Sequence, residues 1–469
     1  DFSQEFVDRY NDPEWKCPDL TVVWGNDPLV ANSDGAYGHW VSDVLQLGSK
    51  LMVVDPRLTW LASKADMWLQ IRPGTDCAVA LAMAHVMIEE GIYDKDFVDK
   101  WAYGFDEFAE YVKEFTPEWA AEIAQIEPAE IVEAARLFAN ADRTLLQWGV
   151  AVDQRDDCLE NGRALVSLLI LTGNFDKPGT MIKPPEMLTY ITGWGREFLK
   201  PEQAAKMLGS DYSPIIHAAC GSAGNAQIIR TLLTGEPYPI KACWLQTVNP
   251  LANGCVDMPT TLKAFNQSEF NVVVDMYKTP TVVALADIVL PVAMFPERNG
   301  IRVGDGCQRG ETINKAVEPV GECRSDQEIC LELGKRFAPE AWPWDTVEDM
   351  FSYIMNETGY NFDEMREIAP AYLPFKYGTH ETGGLRPDGE PGFNTTTSRL
   401  ELWSPFFNAL GYNPMPEYTE PGISPISRPD LAEEFPYVLT TGARLWGFFH
   451  SEHRQIPHLR ALHSEPTIQ

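Results

Sequence analysis

The runs Leu20-Thr-Val-Val-Trp-Gly-Asn-Asp-Pro28 and Lys50-Leu-Met-Val-Val-Asp-Pro-Arg57 decide the fold. Each is a short, β-branched apolar segment closed by a turn containing Asp-Pro, the pattern of a strand covered on both faces. A helical stretch separates them, so strand, turn, helix and strand make a βαβ unit and hence a parallel sheet. Arg72-Pro-Gly-Thr-Asp76 then leads into a helix pattern from Cys77 to Glu90, closed by Gly91, with Thr75 or Asp76 as its cap. Further helices are predicted over 95–115, 117–125 and 128–140, and another strand over Leu145-Leu-Gln-Trp-Gly149. Residues 1–20 read as a short amphipathic helix carrying Phe2, Phe6, Val7 and Tyr10, followed by a turn.

The chain also echoes itself. Val22 to Leu29 is matched by Cys243-Trp-Leu-Gln-Thr-Val-Asn-Pro-Leu251, each an apolar strand ending in a Pro-Leu turn. Asp55 and Asp275 close the next Val-rich strands, and Ala65-Asp66 and Ala286-Asp287 follow at similar spacing. Two related αβ units are therefore expected, with strand, turn, helix and strand aligning between residues 22–69 and 243–290.

At 469 residues the chain exceeds what one core organises. The reading gives an α/β fold of two three-layer αβα domains with parallel sheets. Residues 1–185 form the first, 186–345 contribute the second, 346–430 connect, and 431–469 begin a C-terminal β domain. In that last stretch a strand is expected to start at Tyr437-Val-Leu-Thr-Thr-Gly442. The chain opens at Asp1 without Met or a basic-then-apolar leader, so both ends are read as cut and localisation, exported or cytoplasmic, is not legible.

Sixty-eight acidic against 37 basic side chains give a net charge of −31, which repels nucleic acid and anionic lipid. The longest apolar run, Ala164 to Leu171, is far below the roughly 18 residues of a membrane span. Nine scattered cysteines contain no C-x-x-C, so they read as idle thiols rather than cluster or zinc ligands. His450-x-x-His453 lacks the H-E-x-x-H frame, and no metal ligand is assigned. Neither a G-x-S-x-G elbow nor a Walker motif occurs, and Gly304-Asp-Gly-Cys-Gln-Arg-Gly310 follows no obvious strand, which disfavours hydrolase, ATPase and simple dinucleotide-fold readings.

Parallel sheets bind ligands at the carboxyl ends of their strands. The candidates there are Gly25-Asn26-Asp27-Pro28, Asp55 with Arg57, Gly74-Thr75-Asp76, Asn249-Pro250 and Asp275. Glycine lets backbone approach a ligand, and an Asp carboxylate accepts two parallel hydrogen bonds from the N1–H and N2–H edge of guanine. Singly, each is a turn or a cap; in duplicate, they suggest two nucleotide tails. Arginines 57, 72, 155, 163, 298, 302 and 309 lie in or near these loops, and Arg444, Arg454 and Arg460 with four histidines make the C-terminal stretch an anion-facing segment.

Val53-Val-Asp-Pro-Arg57, Ala65-Asp-Met-Trp-Leu69, Ile71-Arg-Pro-Gly-Thr-Asp76, Gly173-Asn-Phe-Asp-Lys-Pro-Gly179, Ala286-Asp-Ile-Val-Leu-Pro291 and Glu297-Arg-Asn-Gly300, in this order, resemble the molybdopterin oxidoreductase (dimethyl sulfoxide reductase) family. Ser398-Arg-Leu-Glu-Leu-Trp403 and Leu410-Gly-Tyr-Asn-Pro-Met-Pro416 are similar to the subgroup that holds acetylene hydratase, catechol dehydroxylases and sulfur-compound reductases. The resemblance implies two molybdopterin guanine dinucleotides, one on each of two αβ domains related by a pseudo-twofold, holding Mo or W. It implies cofactor contacts from Trp24, Gly25, Asn26, Pro28, Asp55, Arg57, Gly74, Asp76, Asn249, Asp275 and Thr279. Thr441, Gly442, Arg444, His450 and Ser451 match the start of the family's C-terminal domain, a β-barrel. The family's iron–sulfur cysteines and its metal-ligating side chain are expected upstream of residue 1, leaving the catalytic residues of this chain unassigned.

The first turn departs from the family's Gly-x-Asn-Pro, and Thr279-Pro-Thr281 stands where Thr-Glu-Thr is frequent. The implied function is a reductase or dehydrogenase acting on a small molecule, with an iron–sulfur electron-transfer subunit as a possible partner. A non-redox hydratase and a non-catalytic cofactor-binding fragment are the alternatives.

Overall fold

The structure, a computed structural model, describes residues 12–31, 36–183, 200–209, 214–215, 217, 223–254, 257–303, 309–372, 375–440, 447–448 and 456–462. The chain divides into two compact units, one made of Asp1–Pro184 with Pro374–Gln469 and the other of Pro185–Leu373.

The first unit contains strands β1 (Leu20–Trp24), β2 (Lys50–Val54), β3 (Met67–Leu69), β4 (Ala102–Tyr103) and β5 (Thr144–Trp148). Four of them form a parallel sheet in the order β3-β2-β1-β5, with Trp24 in register with Val54 and Trp148. One face buries Leu20, Val22, Trp24, Met52 and Val54 in the same core as helices Asp76–Glu89, Pro117–Ala124, Pro128–Ala139 and Cys158–Leu171. The other face buries Val23, Leu51 and Val53 with Val41 of helix Ala36–Gln46. Coverage on both faces is why β1 reads as an unbroken apolar run rather than an alternating one. The expected helix over 95–115 is interrupted, because Ala102-Tyr103 pairs in parallel with Leu400-Glu401 and Gly104 turns left-handed before helix Phe105–Tyr111.

In the second unit β6 (Ala242–Gln246), β7 (Phe270–Asp275) and β8 (Ile288–Pro291) make a parallel sheet in that order. Leu245 and Val273 pack with Leu232 of helix Asn225–Thr234 and Phe265 of helix Met258–Phe265, while Val272 and Val274 on the opposite face pack with Ile329 of helix Asp326–Phe337. An antiparallel sheet of β9 (Gly300–Val303), β10 (Arg309–Ile313) and β11 (Ala371–Tyr372) completes the unit.

The internal echo is visible in individual hydrogen bonds. Asp66 Oδ2 accepts from Leu51 N at 2.8 Å while Asp66 N donates to Leu51 O at 2.9 Å; Asp287 Oδ2 accepts from Asn271 N at 2.7 Å while Asp287 N donates to Asn271 O at 2.9 Å. The carbonyl of Asp27 accepts from Val30 and Ala31, and that of Asn249 accepts from Ala252 and Asn253. Gly25, two residues before Asp27, has φ +58°, and Thr247, two before Asn249, also has φ +58°. A left-handed threonine is uncommon, and here its backbone repeats the turn made by Gly25.

Several expectations are corrected. Gly304 to Gly310 does follow a strand: it lies where β9 turns into antiparallel β10, and its residues 304–308 fall outside the described ones. Residues 437–440 form no strand, since no described segment pairs with them and they stand exposed. Residues 346–430 are shared between the two units, with helices Val347–Ile354 and Phe362–Ile368 packed around Met350, Phe351, Phe362 and Met365 in the second. The helix expected in residues 1–11 lies outside the described residues.

Because both aspartates tie the start of one strand to the approach of the next, Asp66→Ala and Asp287→Ala should each cost about 1 kcal/mol. Denaturant melts of the two variants check this, and a loss in one unit with none in the other would contradict the duplicated role.

Candidate functional site

The left-handed Gly25 places Gly25 N 2.8 Å from Val54 O and turns the chain sharply off the end of β1. A side chain here would be strained and would press on Ala151. Pro28 then starts the short helix Pro28–Ala31. Gly149 N donates to Trp24 O at 3.0 Å, which brings the turn after β5 against Gly25 and Asn26.

Trp24 is fully buried, and its Nε1 donates to Asp76 Oδ1 at 2.8 Å. This bond joins the end of β1 to the first residue of helix Asp76–Glu89. Burial raises the Asp76 pKa, and the indole hydrogen bond acts against that rise. Gly74, at φ +87°, leaves room for the Arg155 guanidinium and Pro421, both of which a Cβ would strike. Arg155 Nε donates to Asp157 Oδ1 at 3.1 Å, and Asn161 Oδ1 accepts from Cys77 N at 3.2 Å.

At the end of β2, Asp55 Oδ1 accepts from Arg57 N at 2.8 Å and lies 3.4 Å from Arg57 Nε. Burial raises the pKa of Asp27; the positive charge of Arg57 lowers it and the negative charge of Asp55 adds to the rise. The strand ends thus present Asp27, Asp55 and Asp76 with arginines Arg57 and Arg155 between them.

Several polar atoms here have no hydrogen-bond partner: Asp27 Oδ1, Asp157 Oδ2 and Asn161 Nδ2 are buried and unsatisfied. Such atoms are costly without a ligand or ordered water. Their donor and acceptor chemistry, beside Gly25 and Arg155, fits a polar nucleotide-like ligand.

In the second unit Asn249 Oδ1 accepts from Thr281 Oγ1 at 2.7 Å. Asp275 Oδ1 accepts from Tyr277 N at 2.9 Å, as Asp55 accepts from Arg57 N, and Thr279 Oγ1 lies 3.4 Å from Asp275 Oδ2 while capping helix Pro280–Leu285. The structure therefore brings together Trp24, Gly25, Asn26, Pro28, Asp55, Arg57, Gly74 and Asp76 in one unit, and Asn249, Asp275 and Thr279 in the other. Thr441, Gly442, Arg444, His450 and Ser451 lie outside the described residues, as does the His450–His453 pair.

Two of the arginines read as lying in or near these loops are already engaged. Arg72 grips both oxygens of Glu420 at 2.8 and 2.7 Å, and Arg163 stacks 4.0 Å from the Phe407 ring centroid while pairing with Glu160. They strap residues 407–420 onto the unit. Asp157 and Asn161 were missed by the sequence reading; Asn161 lies in the first turn of helix Cys158–Leu171 beside Glu160 and Arg163, and is buried where they are only partly so. Among the described residues no group of three or more His, Cys, Asp or Glu side chains is placed to hold a metal, and no helix is long and apolar enough to cross a membrane.

Residues 3–336 match the family described as molybdopterin oxidoreductase. The chain belongs to this family. It is 31% identical over 463 residues to acetylene hydratase of Syntrophotalea acetylenica, covering 92% of this chain and 62% of that protein. It is also 31% identical over 350 residues to the thiosulfate reductase molybdopterin-containing subunit of Salmonella typhimurium, covering 71% of this chain and 46% of that protein. Formate dehydrogenase H of Escherichia coli is 29% identical over 447 residues, covering 90% and 58%. The solved structure of acetylene hydratase from Pelobacter acetylenicus has the same fold, with a TM-score of 0.87 at 29% identity over 96% of this chain and 64% of that one. The relatives include reductases, dehydrogenases and a hydratase, and the chain spans less than two thirds of their length.

The strap beside Gly74 has a pH signature. Burial opposes ionisation of Glu420, but hydrogen bonds from Arg72, Ser424 and Tyr418 outweigh it and hold the carboxyl down to about 2 from an ordinary 4.5. A carboxyl depressed in the folded state stabilises it above the unfolded pKa and loses that contribution as pH falls through the folded value. Glu420→Gln should therefore be less stable than the parent at neutral pH, with the gap closing between about 4.5 and 2. Urea midpoints across that range check it, and a gap that does not change with pH would contradict it.

Proposed function

We propose that this chain is the cofactor-holding body of a molybdenum or tungsten enzyme that carries two molybdopterin guanine dinucleotides, one on each unit. The observation that carries the reading is the duplicated strand end: a left-handed turn at Gly25 and Thr247, a carbonyl-capped Pro turn at Asp27 and Asn249, and a carboxylate bonded to its own i+2 amide at Asp55 and Asp275. In the first unit the ligand would lie along Gly25 and Asn26, with Asp76 oriented by Trp24 and Arg155 over Gly74 offering positive charge to phosphate. In the second it would meet Asn249, Asp275 and Thr279. Thr441, Gly442, Arg444, His450 and Ser451 belong to the same reading through the family match alone.

When bound, the pterin-held metal supplies the redox or water-activating chemistry, and the protein supplies binding and orientation. The expected reaction class is an anaerobic reduction or dehydrogenation of a small molecule, with electrons passed to an iron–sulfur partner. The similarity to acetylene hydratase over 92% of the chain favours a second reading, non-redox hydration in the same scaffold.

Asp76 supplies the test. Asp76→Ala leaves the Trp24 indole N–H without its buried acceptor and removes the recognition carboxylate. Dinucleotide retention on dialysis should fall about tenfold or more, equivalent to roughly 1–3 kcal/mol. Unchanged retention removes Asp76 from the site. A substrate-linked change in the oxidation state of the metal, in either direction, separates the redox reading from the hydratase, in which the metal's oxidation state is unchanged by substrate.

A further inference from the structure

The strand ends described above lie at the carboxyl end of the first unit's sheet. At the amino end, where β1 and β2 start at Leu20 and Lys50, a groove of about 470 Å³ opens between these strand starts and the last turn of helix Pro128–Ala139. That volume falls within the roughly 300–1,000 Å³ of small-molecule sites. Leu20, Leu137 and Ala141 give it an apolar wall.

The backbone around the groove is satisfied. Arg143 O accepts from Asp19 N at 2.9 Å and from Leu20 N at 3.1 Å, and Asp19 O accepts from Lys50 N at 2.9 Å. What the groove offers a ligand is therefore side-chain charge, and part of that is already engaged. Arg136 donates twice to Glu90, at 2.9 and 2.6 Å. Asn140 directs both its backbone N and its Nδ2 at Arg136 O. Asp142 stands close enough to Lys177 to favour its charge.

Three lining groups are left over. Lys50 and Glu133 are exposed, and neither has a side-chain hydrogen bond or an ion pair among the described residues. Asp19 bonds Arg143 Nη2 through Oδ1 at 2.7 Å, but the pairing is one-pronged: Asp19 Oδ2 and Arg143 Nε are both buried without a partner. A buried carboxylate oxygen that lacks a donor is costly, and a ligand N–H removes that cost.

Charge selects the ligand. Helix Pro128–Ala139 is 12 residues long and turns its C-terminal, negative end to the groove, which favours an ammonium beside Asp19 and Glu133. A plain cation would answer those carboxylates but would add positive charge next to Lys50. A molecule that carries its own carboxylate answers both.

We propose that this groove is a ligand site separate from the cofactor ends of the strands, and that it takes a small zwitterion of the α-amino-acid type. The ammonium faces Asp19 Oδ2 and Glu133, the carboxylate faces Lys50, and an aliphatic side chain covers Leu137 and Ala141. The assignment stands independently of the cofactor reading.

Calorimetric titration of the full, cofactor-loaded protein with three probes tests it: L-valine, isobutylamine, which is valine without its carboxylate, and 3-methylbutanoate, which is valine without its ammonium. Valine should bind at one equivalent, with both singly charged probes at least about tenfold weaker. Lys50→Met should weaken valine about tenfold without weakening isobutylamine, and Glu133→Gln should weaken both. Both positions are exposed, so an unchanged thermal midpoint is expected and is measured alongside. No saturable binding of valine at concentrations on the order of 10 mM would overturn the proposal. So would isobutylamine binding as tightly as valine, which would reduce the groove to a cation site. Valine binding that neither variant weakens would place the amino acid elsewhere and overturn it equally.

Discussion

The hydrogen bond from Trp24 Nε1 to Asp76 Oδ1 is the constraint on which the first unit's site depends. An indole N–H buried without an acceptor is expensive, and so is a buried carboxylate without a donor; each satisfies the other. The bond ties the carboxyl end of the central strand to the start of the helix that runs through the core, so the Gly25 turn and the Gly74 turn are held at a fixed separation. It also spends one carboxylate oxygen on structure, so the recognition proposed for Asp76 would fall to the other oxygen. Burial raises the pKa of Asp76, while the hydrogen bond from the indole and the nearby positive charge of Arg155 work against that rise.

A protein of net charge −31 needs local devices to hold a phosphate-bearing ligand. The structure separates two uses of arginine. Arg72 and Arg163 are engaged with Glu420, Glu160 and Phe407, where they bind residues 407–420 to the unit, although Nη2 of Arg163 is buried without a hydrogen-bond partner. Arg57 and Arg155 remain at the strand ends, each beside a carboxylate that limits its field. Positive charge is therefore placed at two points, beside the turns at Gly25 and Gly74.

The strands were legible because burial on both faces writes an apolar run that no loop would carry: Leu20–Trp24 and Lys50–Val54 have the bounds read from sequence. The echo between residues 22–69 and 243–290 was legible for the same reason, and because Asp66 and Asp287 carry a hydrogen-bonding duty that few other side chains can perform at that distance. What sequence hid was non-local. Nothing near Gln246 announces that its side chain bonds Asp326, since β9 and β10 lie between β8 and helix Asp326–Phe337. Nothing near Ala102 announces that it pairs with Leu400, so a helix pattern was read straight through it. Asp157 and Asn161 were hidden because, beside Glu160 and Arg163, they look like the ordinary cap and polar first turn of helix Cys158–Leu171. The strand expected at Tyr437 had the right composition, but a strand exists only against a partner, and residues 437–440 have none among the described residues.

Each dinucleotide carries a pyrophosphate, so the account fixes an elemental ratio that no side-chain substitution is needed to read. Phosphorus and metal measured together by mass spectrometry on the purified, loaded protein should give about four phosphorus atoms per molybdenum or tungsten. A ratio of about two would mean that only one strand end holds a dinucleotide or that the pterins lack their nucleotides, and would contradict the duplicated site.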